Sequence, residues 1–477
     1  MIFKFLLKIF LLIFFNFNVL FSQSNFFELN SFFIQRINFE HNRVSSQKIV
    51  DKDYFLKLSY FNFAYLNSNL PNLENINGLY IDKGYGFIQS ALVEIRKNGF
   101  YLSFEPQLYT TRRYELNNLN KSDQFSVLND TQLEKNEYIY AKNNMKNVGI
   151  LYNYKNLQIG LGNWNDWWGP GIHNSLVLSN NAKGFYNYQI STKDYIKFNS
   201  KLSAKFKYTI SLPMKNSFGN EYFLTAIQSE IKYGKTRIGI ANHIISGGYN
   251  EINWDFNSAI FSHFDTDKTK YWERIIDFYI QYESIETGLN FFFEFGIPSR
   301  TIDNNAILYS DHATGSNIGL RKYGLFGINE LQFGFEYTRL VQGQYYNLLP
   351  TPNWYDNIKY NYSSYHQRRW AAHCGSDSDD FLIFLGYKFL NKTFIYGINY
   401  ERHGVTYNFP PEVKFESRIS ISIDYNSFDL IINYENEYFK HYNFIDSNRN
   451  IWEQKFENGS IQRTNTLLFK FQKTLNL

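Results

Sequence analysis

From about residue 90 to the end of the chain, apolar or aromatic residues alternate with polar or charged ones in stretch after stretch. In Lys201 to Ile210 the apolar set is Leu202, Ala204, Phe206, Tyr208 and Ile210, against Lys201, Ser203, Lys205, Lys207 and Thr209. Leu331, Phe333, Phe335 and Tyr337 stand against Gln332, Gly334, Glu336 and Thr338, and Ile419, Ile421, Ile423 and Tyr425 against Arg418, Ser420, Ser422 and Asp424. Successive side chains of a strand point to opposite faces, so each stretch is a strand with one oily and one charged side. A soluble sandwich alternates too. What distinguishes a membrane barrel is that Lys, Arg, Glu and Asp line one face of every strand, toward a wet lumen, while Phe and Tyr crowd the other, toward lipid.

Each stretch runs about nine to eleven residues, enough to cross a bilayer when tilted. An open edge would leave unpaired peptide groups in hydrocarbon, so the sheet must close. About 390 residues at roughly 20 to 24 per strand with its connection predict about 16 to 18 strands. The expected class is therefore all-β, a transmembrane antiparallel β-barrel over residues 85–477. Alternation breaks at Asn117–Asn147, Asn250–Arg274 and Gln342–Trp370, which read as long extracellular loops, with short turns at the periplasm. Residues 23–84 read as a short N-terminal periplasmic arm with room for a first strand.

Residues 1–22 carry Lys4 and Lys8, apolar runs at Ile9–Phe15 and Val19–Phe21, and no acid; they read as a signal peptide cut after Ser22. Losing those lysines takes the formal charge from +4 to +2, a balance that gives no support to nucleic-acid binding. With 20% aromatic residues, 47 of them Phe and 39 Tyr, the chain has the material for aromatic girdles at both membrane interfaces. Its one cysteine, Cys374, excludes an intramolecular disulfide and reads as a small buried thiol.

Two segments interrupt the strand rhythm with unusual residues. Trp164-Asn165-Asp166-Trp167-Trp168-Gly169-Pro170-Gly171 sets three of the eight tryptophans beside a tight turn, and Ser175-Leu176-Val177-Leu178-Ser179-Asn180-Asn181-Ala182 follows. Rigid indole faces beside Asp and Asn suit a sugar, whose C–H faces lie on rings while its hydroxyls take hydrogen bonds. Packing or an interfacial role suits them as well. The second segment runs from Tyr362-Ser363-Ser364-Tyr365 to Arg368-Arg369-Trp370-Ala371-Ala372-His373-Cys374-Gly375-Ser376-Asp377-Ser378-Asp379-Asp380. Its aspartates invite an ion site, but no calcium-loop glycine and closing glutamate follow. His173, Ser175, His373 and an aspartate can be assembled into a hydrolytic triad on paper, yet no Gly-x-Ser-x-Gly or His-Glu-x-x-His element accompanies them. An ion-paired network, with arginine forks meeting the carboxylates, is the leading expectation.

The first segment resembles the Trp-Trp-Gly-Pro-Gly turn and Ser-Leu-x-Leu-Ser-x-Asn-Ala run of the outer-membrane capsule assembly family known as Wzi. The second resembles that family's late His-x-Gly-x-Asp-x-Asp-Asp motif, and the resemblance extends over roughly residues 85 to 477. It implies an 18-stranded barrel, exported to the outer membrane of a double-membraned bacterium. It also implies that the chain holds or helps assemble capsular or extracellular polysaccharide non-covalently, without catalysis. The residues expected to contact sugar or shape its site are Trp164, Asp166, Trp167, Trp168, Asn180 and Asn181 from the first segment. From the second they are Arg368, Arg369, His373, Asp377, Asp379 and Asp380. The expected partners are that polysaccharide and outer-membrane lipid, not nucleic acid; the barrel is expected to act as a monomer with no cofactor or metal. The alternatives are a substrate-specific porin or channel and, behind it, an outer-membrane hydrolase.

Overall fold

A computed structural model describes residues 54–476 except 73, 115, 117–120, 122, 132–138, 251, 265–271, 299–313, 342–353, 407–409, 426–427 and 445–460. The expected signal peptide, 1–22, and residues 23–53 of the expected arm lie outside the described residues. The strands are β1 (Tyr54–Asn67), β2 (Gly84–Lys97), β3 (Phe100–Arg113), β4 (Ile139–Tyr154), β5 (Leu157–Gly162) and β6 (Asn187–Thr192). Next come β7 (Leu202–Ser211), β8 (Glu221–Tyr233), β9 (Thr236–Gly247), β10 (Glu273–Ser284), β11 (Leu289–Pro298) and β12 (Gly315–Leu325). The last are β13 (Ile328–Arg339), β14 (Ser378–Phe389), β15 (Lys392–His403), β16 (Glu412–Tyr425), β17 (Phe428–Lys440) and β18 (Gln462–Asn476). Two-residue pieces at Ile196–Lys197 and Met214–Lys215 continue β6 and β7, so the sheet counts eighteen strands, as the resemblance implied. Each pairs antiparallel with the next, and β18 pairs with β1, Lys470 opposite Phe63, which closes the barrel.

The two faces divide as the alternation predicts. Phe100, Leu102 and Phe104 are exposed while Tyr101, Ser103 and Glu105 between them are buried; Leu385, Tyr396 and Ile419 point outward from their strands in the same way. One end of the barrel carries the tight connections, among them Asn98-Gly99 and Phe326-Gly327, whose paired positive φ values suit the twist of two-residue hairpins. Phe100, Tyr152, Tyr154, Tyr233, Tyr282, Phe389 and Tyr425 stand exposed near these turns and form the girdle that an interface favours. Short turns mark the periplasmic end.

At the opposite end the connections are long, and three of them turn inward instead of projecting. The described residues of 68–83 and 340–377, with residues 163–186, pack against the inner face of the wall as a plug. Its apolar heart joins Trp168, Leu176, Leu178, Trp354, Tyr355, Tyr360, Trp370 and Cys374 to Leu224, Ala241, Ile245 and Ile275 of the wall. β4 begins at Ile139, inside the expected Asn117–Asn147 loop; of the expected extracellular loop Gln342–Trp370, residues 342–353 lie outside the described residues, and Trp354, Tyr355, Tyr360 and Trp370 pack inward. These aromatic residues are too costly to leave in water, and the lumen offers the one large enclosed space to bury them.

Candidate functional site

The first motif is laid into the lumen by the wall itself. Glu336, three residues from the long-connection end of β13, accepts the backbone N–H groups of Ile172 at 2.9 Å and Asn174 at 2.8 Å, with His173 between them. Glu294 on β11 accepts from the Leu176 N–H at 3.3 Å, and Arg321 on β12 donates to the Pro170 carbonyl at 3.0 Å. Gly169, at φ 114°, passes so close to the Glu294 carboxylate that a side chain there would collide with it. A connection with few partners of its own thus takes its hydrogen bonds from lumen-facing strand residues, as buried peptide groups require.

The tryptophans divide into buried and half-buried. Trp168 is 2% exposed, inside the plug core. Trp164 lies across Gly149 and Gly162, which leave room for its ring, and donates to Ser103 Oγ at 2.8 Å. Neither ring is open for stacking on a ligand. Trp167 is half-buried and donates to the Gly171 carbonyl at 2.7 Å, and Asp166, also half-buried, meets Lys207 of β7 at 2.5 Å. Asn181 ties segments together, accepting from the Asn75 N–H at 3.2 Å and donating to the Arg369 carbonyl at 3.0 Å. The carbonyl of Asn180 accepts from the Asn77 N–H at 2.6 Å, while its side chain is buried without a hydrogen bond.

The two motifs meet, as their residue types suggest they should. Ser179 donates through its N–H to the Trp370 carbonyl and through its hydroxyl to that of Ala371, each at 2.6 Å. The expected forks between Arg368, Arg369 and the aspartates are replaced by other pairings. Arg368 donates to the carbonyls of Leu128, Asn129 and Thr131 at 3.0, 3.2 and 2.9 Å and lies over the Tyr80 ring. Arg369 is fully buried, donates to the Gln124 carbonyl at 2.9 Å and lies over Tyr355; burial pushes its guanidinium down to about 10, against the pull of Tyr355. Asp379 takes Arg402 instead, because strand register sets that residue directly opposite on β15. Asp377 accepts from the Thr406 N–H at 3.0 Å. Asp380 accepts from Asn174 Nδ2 at 2.7 Å and lies 3.1 Å from His173 and 3.2 Å from His373.

His373 is a junction. Its Nδ1 faces the His173 carbonyl at 3.2 Å, and its Nε2 lies 3.2 Å from Glu74, a residue of the 68–83 segment that the sequence did not single out. Burial would lower the His373 pKa, but the Glu74 and Asp380 carboxylates outweigh it and push it up to about 9. Burial likewise opposes charge on Glu74, yet His373 and Lys414 hold that carboxyl well below its usual range. Ser175, the nucleophile of the paper triad, is fully buried and gives its hydroxyl to the Trp168 carbonyl.

The open site lies above these residues, at the long-connection end. A cleft of about 650 Å³ is lined by Ser126 and Thr131, by Lys215, Asn216 and Ser217 beside the β7–β8 turn, and by Asn361, Tyr362, Ser364, His366 and Gln367. Hydroxyls, amides and the lysines Lys121 and Lys215 share its wall with Val127 and Ile358, and rather more of that wall is apolar than polar. Its backbone turns tightly: Asn361, Tyr362 and Ser363 have φ values of 49°, 56° and 54°, and His366 and Gln367, at 50° and 57°, form the two-residue hairpin turn between Ser364–Tyr365 and Arg368–Arg369. Left-handed non-glycine residues cost roughly 1–2 kcal/mol each and persist where the surroundings over-determine them, often at binding sites. Of the lining, the sequence signalled only the Tyr362–Tyr365 run at the head of the second motif.

The chain matches the family model described as capsule assembly protein Wzi over residues 99–429. Its fold is similar to that of Wzi of Escherichia coli, an outer-membrane protein involved in group 1 capsule assembly and described as a carbohydrate-binding β-barrel. The TM-score is 0.58 at 9% identity, over 92% of this chain and 87% of that one. Acinetobacter baumannii OccAB3 gives a TM-score of 0.48 at 8% identity, over 89% of this chain and 100% of that one. Pseudomonas aeruginosa OpdK, solved with vanillate, gives 0.47 at 8% identity, over 89% and 99%. No curated protein sequence matches the chain.

Proposed function

The chain belongs to the Wzi capsule assembly family, and from that premise we propose that it sits in the outer membrane as a single barrel and binds surface polysaccharide non-covalently, helping to assemble or retain it. The observation that carries this reading is the open cleft at the long-connection mouth, walled by hydroxyls and amides together with apolar side chains. Its volume falls within the roughly 300–1,000 Å³ typical of ligand sites, and its hydroxyl and amide lining matches the hydrogen-bonding surface of a sugar. Trp167 sits against the Gly-Pro-Gly turn, and the Ser126–Thr131 side of the cleft is tied to the second motif through Arg368.

The plug counts against a passive channel, because its apolar core packs against the inner face of the wall and many hydrogen bonds tie the two together. It counts against hydrolysis as well, since Ser175, His173 and His373 are sealed from water. The test is retention: cells lacking the protein should release polysaccharide into the medium, and the wild-type chain should restore cell-bound material. Purified protein should bind the same glycan in detergent. Large single-channel conductance without glycan binding would replace this reading with the channel.

A further inference from the structure

Three inward segments and the wall bring a set of ligand-type side chains to one buried point. Glu74 comes from residues 68–83, His173 follows the Gly-Pro-Gly turn and His373 belongs to the second motif; one donor atom from each lies within 4.8 Å of the other two. From these residues we infer a site for one zinc-like divalent transition-metal ion, held by Glu74, His173 and His373, that staples the plug together inside the barrel.

The donor set is right for such an ion, since imidazole nitrogen and carboxylate oxygen are standard zinc ligands. His373 Nε2 and Glu74 Oε2 lie 3.2 Å apart as an ion pair, and Asp380 Oδ2 stands 3.2 Å from the same nitrogen. Both members of that pair are more than nine-tenths buried. Zinc–ligand distances of about 2.0–2.1 Å put neighbouring ligand atoms of a tetrahedral site about 3.3 Å apart, close to the 3.2 Å between His373 Nε2 and Glu74 Oε2, and the His173 donor lies within 4.8 Å of both. The orientation of His373 fits too. Its Nδ1 lies 3.2 Å from both the His173 carbonyl and Asn75 Nδ2; with Nδ1 donating to the carbonyl, an ion at Nε2 would take the place of the proton that Glu74 and Asp380 otherwise hold there. His173 Nε2 stands 3.2 Å from the Asn399 amide and 3.1 Å from Asp380 Oδ2, so it faces the same buried point. Asp380 presses on both imidazoles from the wall at 3.1 and 3.2 Å and adds negative charge, while Lys414 neutralises the other Glu74 oxygen.

The test uses the full-length protein in detergent, stripped with a chelator during refolding and then titrated with zinc or cobalt. The expected result is about one metal ion per chain by elemental analysis, a rise in the thermal midpoint, and the visible absorption of four-coordinate cobalt. His173→Gln and His373→Gln should keep the barrel's heat-dependent gel shift but lose metal affinity by roughly tenfold or more. A folded wild-type chain that takes up no stoichiometric zinc or cobalt overturns the proposal whatever the variants do, as do folded variants that bind as tightly as wild type. Glycan retention is read separately, so its failure would leave the metal result standing.

Discussion

The Glu336 carboxylate of the barrel wall and the backbone N–H of Asn174 meet at 2.8 Å, inside the barrel. The same carboxylate takes the N–H of Ile172 at 2.9 Å and reaches that of His173, so one acidic side chain satisfies a run of peptide donors with no secondary-structure partners. That makes the wall a mould for the plug.

Removing that acceptor should therefore unseat the plug. Glu336→Ala leaves buried N–H groups without partners, at about 1–3 kcal/mol each, whereas Glu336→Gln keeps one acceptor oxygen and should cost less. Thermal unfolding in detergent and protease cleavage within residues 163–186 measure it; equal stability of both variants and wild type would show that the contact does not hold the segment.

The lipid face gives a second contrast. Phe293, mid-strand on β11 and exposed, should tolerate leucine, but Phe293→Lys should cost about 2–4 kcal/mol at mid-membrane depth. Denaturant unfolding from lipid vesicles reads the difference, and a lysine as stable as leucine there would place this face away from hydrocarbon.

Trp168→Ala should act on folding and not on ligand contact. The ring is 2% exposed among Leu176, Trp354 and Trp370, so its removal should cost about 3–5 kcal/mol and lower the amount of folded barrel. Trp167→Ala, at a half-buried position, should leave that amount near normal. Heat-dependent gel migration of membrane fractions compares the two.

The barrel was legible in the sequence because period-two alternation is a local signal: Phe100, Leu102 and Phe104 report their face without knowledge of any other strand. The plug was not. Glu336 reads as a lumen polar residue whether it meets water or peptide N–H groups, and Glu74 sits in the stretch that reads as an N-terminal arm. Arg369 beside Asp379 and Asp380 suggests a salt bridge by proximity in sequence, yet register gives Asp379 to Arg402 and buries Arg369 against Tyr355 and a carbonyl. That the two motifs meet was legible, because buried carboxylates and amides need partners; which partner each takes depended on the closed barrel.

The cleft separates binding from folding most cleanly. Lys215, His366 and Gln367 are exposed, so a combined Lys215→Ala, His366→Ala and Gln367→Ala variant should fold and insert normally, surface changes typically staying within about 0.5 kcal/mol each. Replacing the left-handed His366 and Gln367 with alanine keeps a comparable backbone demand, so a large folding loss is not expected from that source. If sugars seat here, each engagement of a long polymer is weakened, and because repeated weak contacts along one chain reinforce each other through effective concentration, cells should shed far more polysaccharide than a single-site loss suggests. Barrel abundance and cell-bound glycan are measured in the same cells. Normal abundance with shed glycan is the expected result; normal abundance with full retention would move the binding surface away from this cleft, and with it the case for the mouth of the barrel as the point of contact.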